Sequence, residues 1–344
     1  MLSIAAFAFP LRERYSTSGR TLQKGIHMVR HILEALDLSA NEIERIIVRA
    51  SRMEHRFYKD LEGTAVAFIF FEPSTRTRLF ELAVKRLGGV TVVFDNAAHS
   101  SSANKGEDLN DTLRVLSGQA DCIVLRHPDE AIMREAVQYS HVPVINAGDG
   151  SHEHPTQGLI DLFTLWEAIH PTQKGPARIP KKKLRVLFWG DNAASRTVRS
   201  FASLLAVRGP ELGIELEHVG FFGPEPFGAP PADVMEVVRR GCASIEVYPT
   251  VPSLTDFDVV YSTRTQKERH DEVGYIEVPL TLELAETLPK HAIIMNPMPR
   301  VGILPRELDT DDRTWYFKQS DNGMLVRMAL IRHLALNKHL GNGK

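Results

Sequence analysis

From Ala65 onward, short runs of apolar and β-branched residues alternate with longer stretches whose apolar positions recur at helical spacing. AVAFIFF (65–71) reads as a strand, followed by a helix-period stretch to Leu87, then VTVVF (90–94), a helix from about Asp108 to Leu116, and CIVLR (122–126). The rhythm continues through VPVIN (142–146) and a helical run from Thr156 to Ile169. Alternation of strand and helix periods is the signature of βαβ units. It breaks at 170–183, a stretch rich in proline and lysine without periodicity, and resumes with LRVLFWG (184–190), LEHVGFF (216–222), SIEVYP (244–249), DVVYSTR (258–264) and AIIMNP (292–297). Non-periodic segments of that composition join domains. The expected fold is therefore α/β, with two doubly wound parallel-sheet domains over 20–169 and 184–322.

Length agrees with that division, since 344 residues hold two domains of ordinary size. A formal net charge of −2, with 24% charged residues, lacks the basic excess of a nucleic-acid-binding protein. No apolar run approaches the ~18 residues of a membrane-crossing helix. Only Cys122 and Cys242 are present, too few for a disulfide framework or a cysteine zinc site, and they read as free thiols of a reducing cytoplasm. The N-terminus is less plain. Residues 2–9 are apolar and precede Arg12, Arg14 and Arg20 among serines and threonines, the wrong order for a secretory signal; an organellar transit peptide and a plain arm both stay open.

Candidate chemistry collects where strands end. Glu72-Pro73-Ser74-Thr75-Arg76-Thr77-Arg78 follows the first strand and opens a helix. Cations are disfavoured in the first turn of a helix, so Arg76 there calls for a compensating anion, and a phosphate held by hydroxyls, free backbone N–H groups and a guanidinium supplies it. Neither a nucleotide triphosphate loop nor a dinucleotide fingerprint is present. The loop around Ser101 carries Lys105 before Gly106, readable either as a solvated lysine or as a charge delivered to an anion. Arg126 ends a strand, where open α/β sheets gather ligands. His152-Glu153-His154 lacks the spacing of a zinc helix, and a histidine donating to a carbonyl, with Gln157 a turn away, fits better than a metal site. In the second domain Arg196 and Arg264 stand just past strand ends; such a pair suits a small dicarboxylate, and a salt-bridge role is equally open for either alone. Prolines around Met298 can fix backbone carbonyls as acceptors.

With these segments in view, the chain resembles the aspartate carbamoyltransferases of the aspartate/ornithine carbamoyltransferase superfamily. The resemblance runs from about Leu36 to Leu334 and rests on FEPSTRTR, SSANKGE, LRHP, VPVINAGDGSHEHPTQ, GDNAASRTVRS, TRTQKER, NPMPR and DNGMLVRMAL. TRTQKER and the lysine of SSANKGE look like the aspartate branch. The resemblance implies an active site between the two domains and a C-terminal helix, over 323–340, that packs back on the first domain. It assigns Ser74, Thr75, Arg76 and Thr77 to the phosphate of carbamoyl phosphate, and Arg126, His154 and Thr77 to its carbonyl oxygen. Gln157 and the backbone at Pro297 and Met298 would take its NH₂ group, while Arg196, Arg264 and Gln266 receive L-aspartate. Lys105, with Ser101, would come from a neighbouring subunit of a homotrimer, and Glu72 would align Arg196 and Arg269. No metal or cofactor is implied. A regulatory chain or a dihydroorotase partner stays open.

Departures from the family pattern stand beside these matches. Ala193-Ala194-Ser195 replaces a common Lys-Tyr-Gly, Asn296 replaces a histidine, and Gly302-Ile303 replaces an acidic pair. These changes bear on closure and on the choice of acceptor. They keep alive a carbamoyltransferase with another amine acceptor. A non-catalytic scaffold fits less well, because Arg76 and the Lys105 loop are intact.

Overall fold

The computed structural model describes residues 29–72, 78–95, 97, 108–150, 152–173, 175, 181–267 and 277–337. In the first domain α1 (Ala40–Ala50) precedes β1 (Ala65–Phe70), α2 (Arg78–Arg86), β2 (Val90–Asp95), α3 (Leu109–Ser117), β3 (Cys122–His127), α4 (Glu130–Ala136), β4 (Val144–Asp149) and α5 (Pro155–Ile169). The second contains β5 (Lys182–Gly190), α6 (Arg196–Arg208), β6 (Ile214–Phe222), α7 (Ala232–Gly241), β7 (Cys242–Tyr248), β8 (Val259–Thr263), α8 (Leu282–Glu286) and β9 (Ile293–Met295), followed by α9 (Tyr316–Leu336). Each strand expected from the apolar runs is present.

Every strand pair is parallel, and the sheet orders are β2-β1-β3-β4 and β7-β6-β5-β8-β9. The order reverses between β1 and β3 in one sheet and between β5 and β8 in the other. Crossover helices leave in opposite directions at such a point, so a crevice opens beyond the carboxyl ends of the two strands. Arg126 is the next-to-last residue of β3 and Arg264 follows β8, which puts both arginines at these crevices.

The domains share a core. One continuous cluster of buried apolar side chains includes Phe68 and Phe70 from β1, Phe163 and Trp166 from α5, and Phe188, Phe201 and Tyr261 from the second domain. Helix α5 is buried on nearly all sides, unlike the half-buried surface helix α1. It packs against α6 and α9. Gly158 permits the α5–α6 approach, because a Cβ there would lie 2.9 Å from the Cβ of Ser200.

Helix α9 packs on α1, α2 and α5 of the first domain. It begins at Tyr316 instead of at residue 323. The early start has a packing cause. Tyr316 is fully buried in the apolar cluster of the second domain with Trp189 and Ile294, so the first turn anchors in one domain and the rest lies on the other. Among the described residues, no helix is long and apolar enough to cross a membrane.

Candidate active site

A cleft of about 850 Å³ opens at the two crevices. From the first domain it is lined by Glu72, Arg126, His154 and Gln157, and from the second by Arg196, Arg264, Gln266, Pro297 and Met298. Thus nine of the residues singled out from the sequence meet in one cavity. Ser74, Thr75, Arg76, Thr77, Ser101, Lys105 and Arg269 lie outside the described residues. Arg78 turns to structure, pairing with Glu81 and Asp95.

Arg126 is held by its backbone, whose carbonyl accepts from the N–H of Phe71 at 3.0 Å. Its guanidinium lies 3.9 Å from Glu72. Glu72 was expected to align Arg196 and Arg269, whereas its carboxylate here faces Arg126. The glycine-rich loop after β4 brings His154 to the N-cap of α5, where its N–H donates to Ser200 Oγ at 3.0 Å and its Nδ1 meets the Thr156 hydroxyl at 3.2 Å. His152, Glu153 and His154 do not converge: His152 faces Asp149 and Glu130, while Glu153 accepts from Ser200.

Arg196 opens α6, and its Nη1 donates to the Gly150 carbonyl at 2.9 Å across the domain boundary. Gly148 makes that approach feasible. Its φ of +114° is left-handed, and a Cβ would stand 3.1 Å from the Arg196 Cζ. In the other loop Arg264 Nη1 donates to the Thr265 carbonyl, and Gln266 Nε2 donates to the Arg264 carbonyl. Asp191 ties the two loops together, accepting from the N–H of Ala194 at 2.9 Å and of Gln266 at 2.9 Å. It is fully buried at the end of β5, so this anchor is rigid.

The departures at Ala193-Ala194-Ser195 and Asn296 sit at the same cleft, whereas Ile303 is buried in the core of the second domain. Ala193, Ala194 and Ser195 line the cleft with small side chains. Asn296 caps the turn after β9, its Oδ1 accepting from Met298 N–H at 2.7 Å while its Nδ2 donates to the Ser262 carbonyl at 2.9 Å. Met298 has a φ of 56°, a left-handed conformation that costs a non-glycine residue, and the Asn296 contact helps hold it there. Gly302 is also left-handed and faces Glu277.

Sequence reasoning passed over four buried polar residues. Asp161 and Gln319 lie behind Gln157, Asp191 joins the loops, and Arg327 of α9 reaches the cleft with its guanidinium 4.9 Å from the centre of the Phe80 ring. Two had a usable signal: Asp161 and Arg327 each carry a charge inside an otherwise apolar helical run. Nothing comparable marked Gln319 as buried.

Glu153 couples the site to pH. Burial pushes its carboxyl up to about 7 from an ordinary 4.5, against the Ser200 hydroxyl bond that favours the anion. A raised value means that the folded chain binds this proton more tightly than the unfolded chain. The resulting stability is full below the ordinary carboxylate range and is lost as pH rises through about 7. Glu153→Gln keeps the shape without the ionisation. It is expected to raise Tm by about 5 °C at pH 8.5 and to leave it nearly unchanged at pH 4, following from roughly 3 kcal/mol for a shift of this size. Thermal scans of both proteins across that range check it, and equal Tm differences at both pH values would contradict it.

The aspartate/ornithine carbamoyltransferase family models match this chain, the carbamoyl-P binding domain over residues 30–167 and the Asp/Orn binding domain over 182–334. The aspartate carbamoyltransferase catalytic subunit of Methanocella arvoryzae is 42% identical over 311 residues, 88% of this chain and 96% of that protein. That of Methanocaldococcus jannaschii is 39% identical, covering 89% and 98%. In structure the chain is similar to aspartate transcarbamoylase from Trypanosoma cruzi in complex with N-(phosphonacetyl)-L-aspartic acid, with a TM-score of 0.78, 30% identity, and 90% and 96% of the two chains covered. The M. jannaschii catalytic subunit gives a TM-score of 0.73 at 37% identity, covering 90% and 99%.

Proposed function

This chain belongs to the aspartate/ornithine carbamoyltransferase family, and on that premise we propose that it transfers the carbamoyl group of carbamoyl phosphate to the amino group of L-aspartate, giving N-carbamoyl-L-aspartate and phosphate. One observation carries the choice of acceptor. Arg196, Arg199, Arg264 and Arg327 line the cleft with Arg126, whereas the acids among its described lining residues are Glu72 and Glu130. A dicarboxylate gains from such a field, and the side-chain ammonium of ornithine loses.

The chemistry needs no protein nucleophile. The aspartate nitrogen attacks the carbamoyl carbon, the carbon–oxygen bond to phosphate breaks, and the amine proton leaves with the phosphate. The protein positions the reactants and stabilises the charge that develops. Arg126, His154 and Thr77 serve the carbonyl oxygen; Ser74, Thr75, Arg76 and Thr77 hold the phosphate. Gln157 and the backbone of Pro297 and Met298 accept from the NH₂ group, while Arg196, Arg264 and Gln266 bind aspartate. The meeting of Arg126, His154 and Gln157 with Arg196, Arg264 and Gln266 at one cleft supports these roles.

We further infer a cytoplasmic homotrimer in which Lys105 and Ser101 enter a neighbour's site. Edge strand β2 leads toward that loop and exposes Val90 and Val92, an apolar strip that self-association would cover. A reducing compartment suits the free cysteines; burial pushes the Cys122 thiol up to about 12. The reading is tested by measuring ureido product from carbamoyl phosphate with a panel of amines. Aspartate should be the fastest acceptor, and faster carbamoylation of ornithine or another amine would overturn it.

A further inference from the structure

Behind Gln157 lies a buried polar network that lining residues alone do not explain. Asp161, on α5 and fully buried, receives Gln157 Nε2 at 2.7 Å and Gln319 Nε2 at 2.6 Å on Oδ1, and the Tyr261 hydroxyl at 2.7 Å on Oδ2. Gln319, on α9, accepts from the backbone N–H of Asn296 at 3.0 Å through Oε1. The side chain of Asn296 in turn holds Met298.

Hydrogen-bond polarity runs one way through this chain. A backbone N–H can only donate, so the Asn296 N–H requires the oxygen of the Gln319 amide and turns its NH₂ toward Asp161. Asp161 Oδ1 accepts from both amides, so Gln157, like Gln319, presents its NH₂ inward; burial pushes the Asp161 carboxyl up to about 7, and a proton taken there belongs on Oδ2, beside the Tyr261 hydroxyl. The Gln157 amide oxygen is then the end directed to the cleft, which Gln157 lines. An acceptor there matches a ligand NH₂; a flipped amide would set donor against donor.

We infer that Asp161 and Gln319 are positioning residues that fix both acceptors of the carbamoyl NH₂ group, the Gln157 amide oxygen directly and the Pro297–Met298 backbone through Asn296. The network draws on α5 of the first domain, on β8 and the turn after β9 of the second, and on α9. Acceptor geometry is therefore set by the docking of the two domains as well as by either loop. A site built to satisfy an NH₂ group discriminates strongly against an analogue that lacks it. This inference rests on the carbamoyl-transfer reading and adds a specificity device to it.

The test compares carbamoyl phosphate with acetyl phosphate, which replaces NH₂ by CH₃ and keeps the phosphate and carbonyl. Activity of the unaltered enzyme with carbamoyl phosphate and aspartate checks the reading itself; the variants check only the inference. Asp161→Leu removes the acceptor at similar volume, and KM for carbamoyl phosphate is expected to rise by ~10-fold or more, while Ki for acetyl phosphate stays within ~2-fold. Asp161→Asn retains one acceptor oxygen and should preserve the preference to within ~3-fold. Gln319→Met leaves Asp161 in place but releases the Asn296 turn, and should show the same selective loss at ~3-fold or more; this variant decides the matter if Asp161→Leu does not fold. Parallel weakening of both phosphates in folded variants would reduce the network to a structural role and overturn the inference. So would an unchanged preference.

Discussion

Replacing Arg126 with alanine is expected to lower kcat/KM by at least ~10²-fold, most of it in kcat, with little change in KM for aspartate. The guanidinium stands at the end of β3, at the switch point of the first sheet, with its side chain 14% exposed. In the role proposed for it, it meets the oxygen on which negative charge grows as the amine adds to the carbamoyl carbon. A donor whose contact strengthens during reaction contributes to kcat more than to ground-state binding. Glu72, which it faces at 3.9 Å, is itself half exposed at 53%, so the loss of this pairing costs the fold little. Steady-state kinetics of the purified variant, with thermal unfolding as a check on folding, measures this effect. Near-normal kcat would remove Arg126 from the chemistry.

Much of this site was legible in the sequence because its residues sit at strand ends. A parallel strand is an unbroken apolar run, and the first polar residue beyond it must face the carboxyl edge of the sheet. Arg264 announces itself in that way, Arg126 is the next-to-last residue of β3, and Arg196 opens α6 beyond the loop that follows β5. What the sequence did not reveal is the support behind them. Asp161 and Gln319 are separated by most of the second domain and meet only because α9 returns to lie on α5. Local periodicity carries no information about such a contact. The start of α9 was hidden for a related reason: its first residue, Tyr316, packs into a core different from the one that buries the rest. Glu72 was assigned Arg196 and Arg269 as partners by resemblance; its carboxylate lies 3.9 Å from Arg126, and Arg269 lies outside the described residues.

The second large effect is expected from Arg264→Ala, which should raise KM for aspartate by ~10²-fold and leave KM for carbamoyl phosphate within ~3-fold. Arg264 follows β8 at the switch point of the second sheet, and its Nη1 donates within its own loop, to the Thr265 carbonyl. The loop keeps its shape without that side chain, because Asp191 still holds the Gln266 N–H and Glu277 the Thr265 N–H. Truncation therefore removes a bidentate cation from the acceptor subsite while the scaffold persists. The measurement is a pair of saturation curves, one for each substrate. Equal rises in both KM values would place Arg264 in the general architecture of the cleft instead of in the aspartate subsite.

The central claim is that one cleft holds donor and acceptor together, with arginines from both domains. Calorimetric binding of a bisubstrate analogue, a phosphonate joined through an amide to an aspartate dicarboxylate, tests it most directly. The joined molecule should bind at least ~10³-fold more tightly than either fragment, since the second subsite is filled without a second loss of translational freedom. Arg126→Ala and Arg264→Ala should each forfeit most of that gain. An analogue that binds no better than its phosphonate fragment alone would contradict the account.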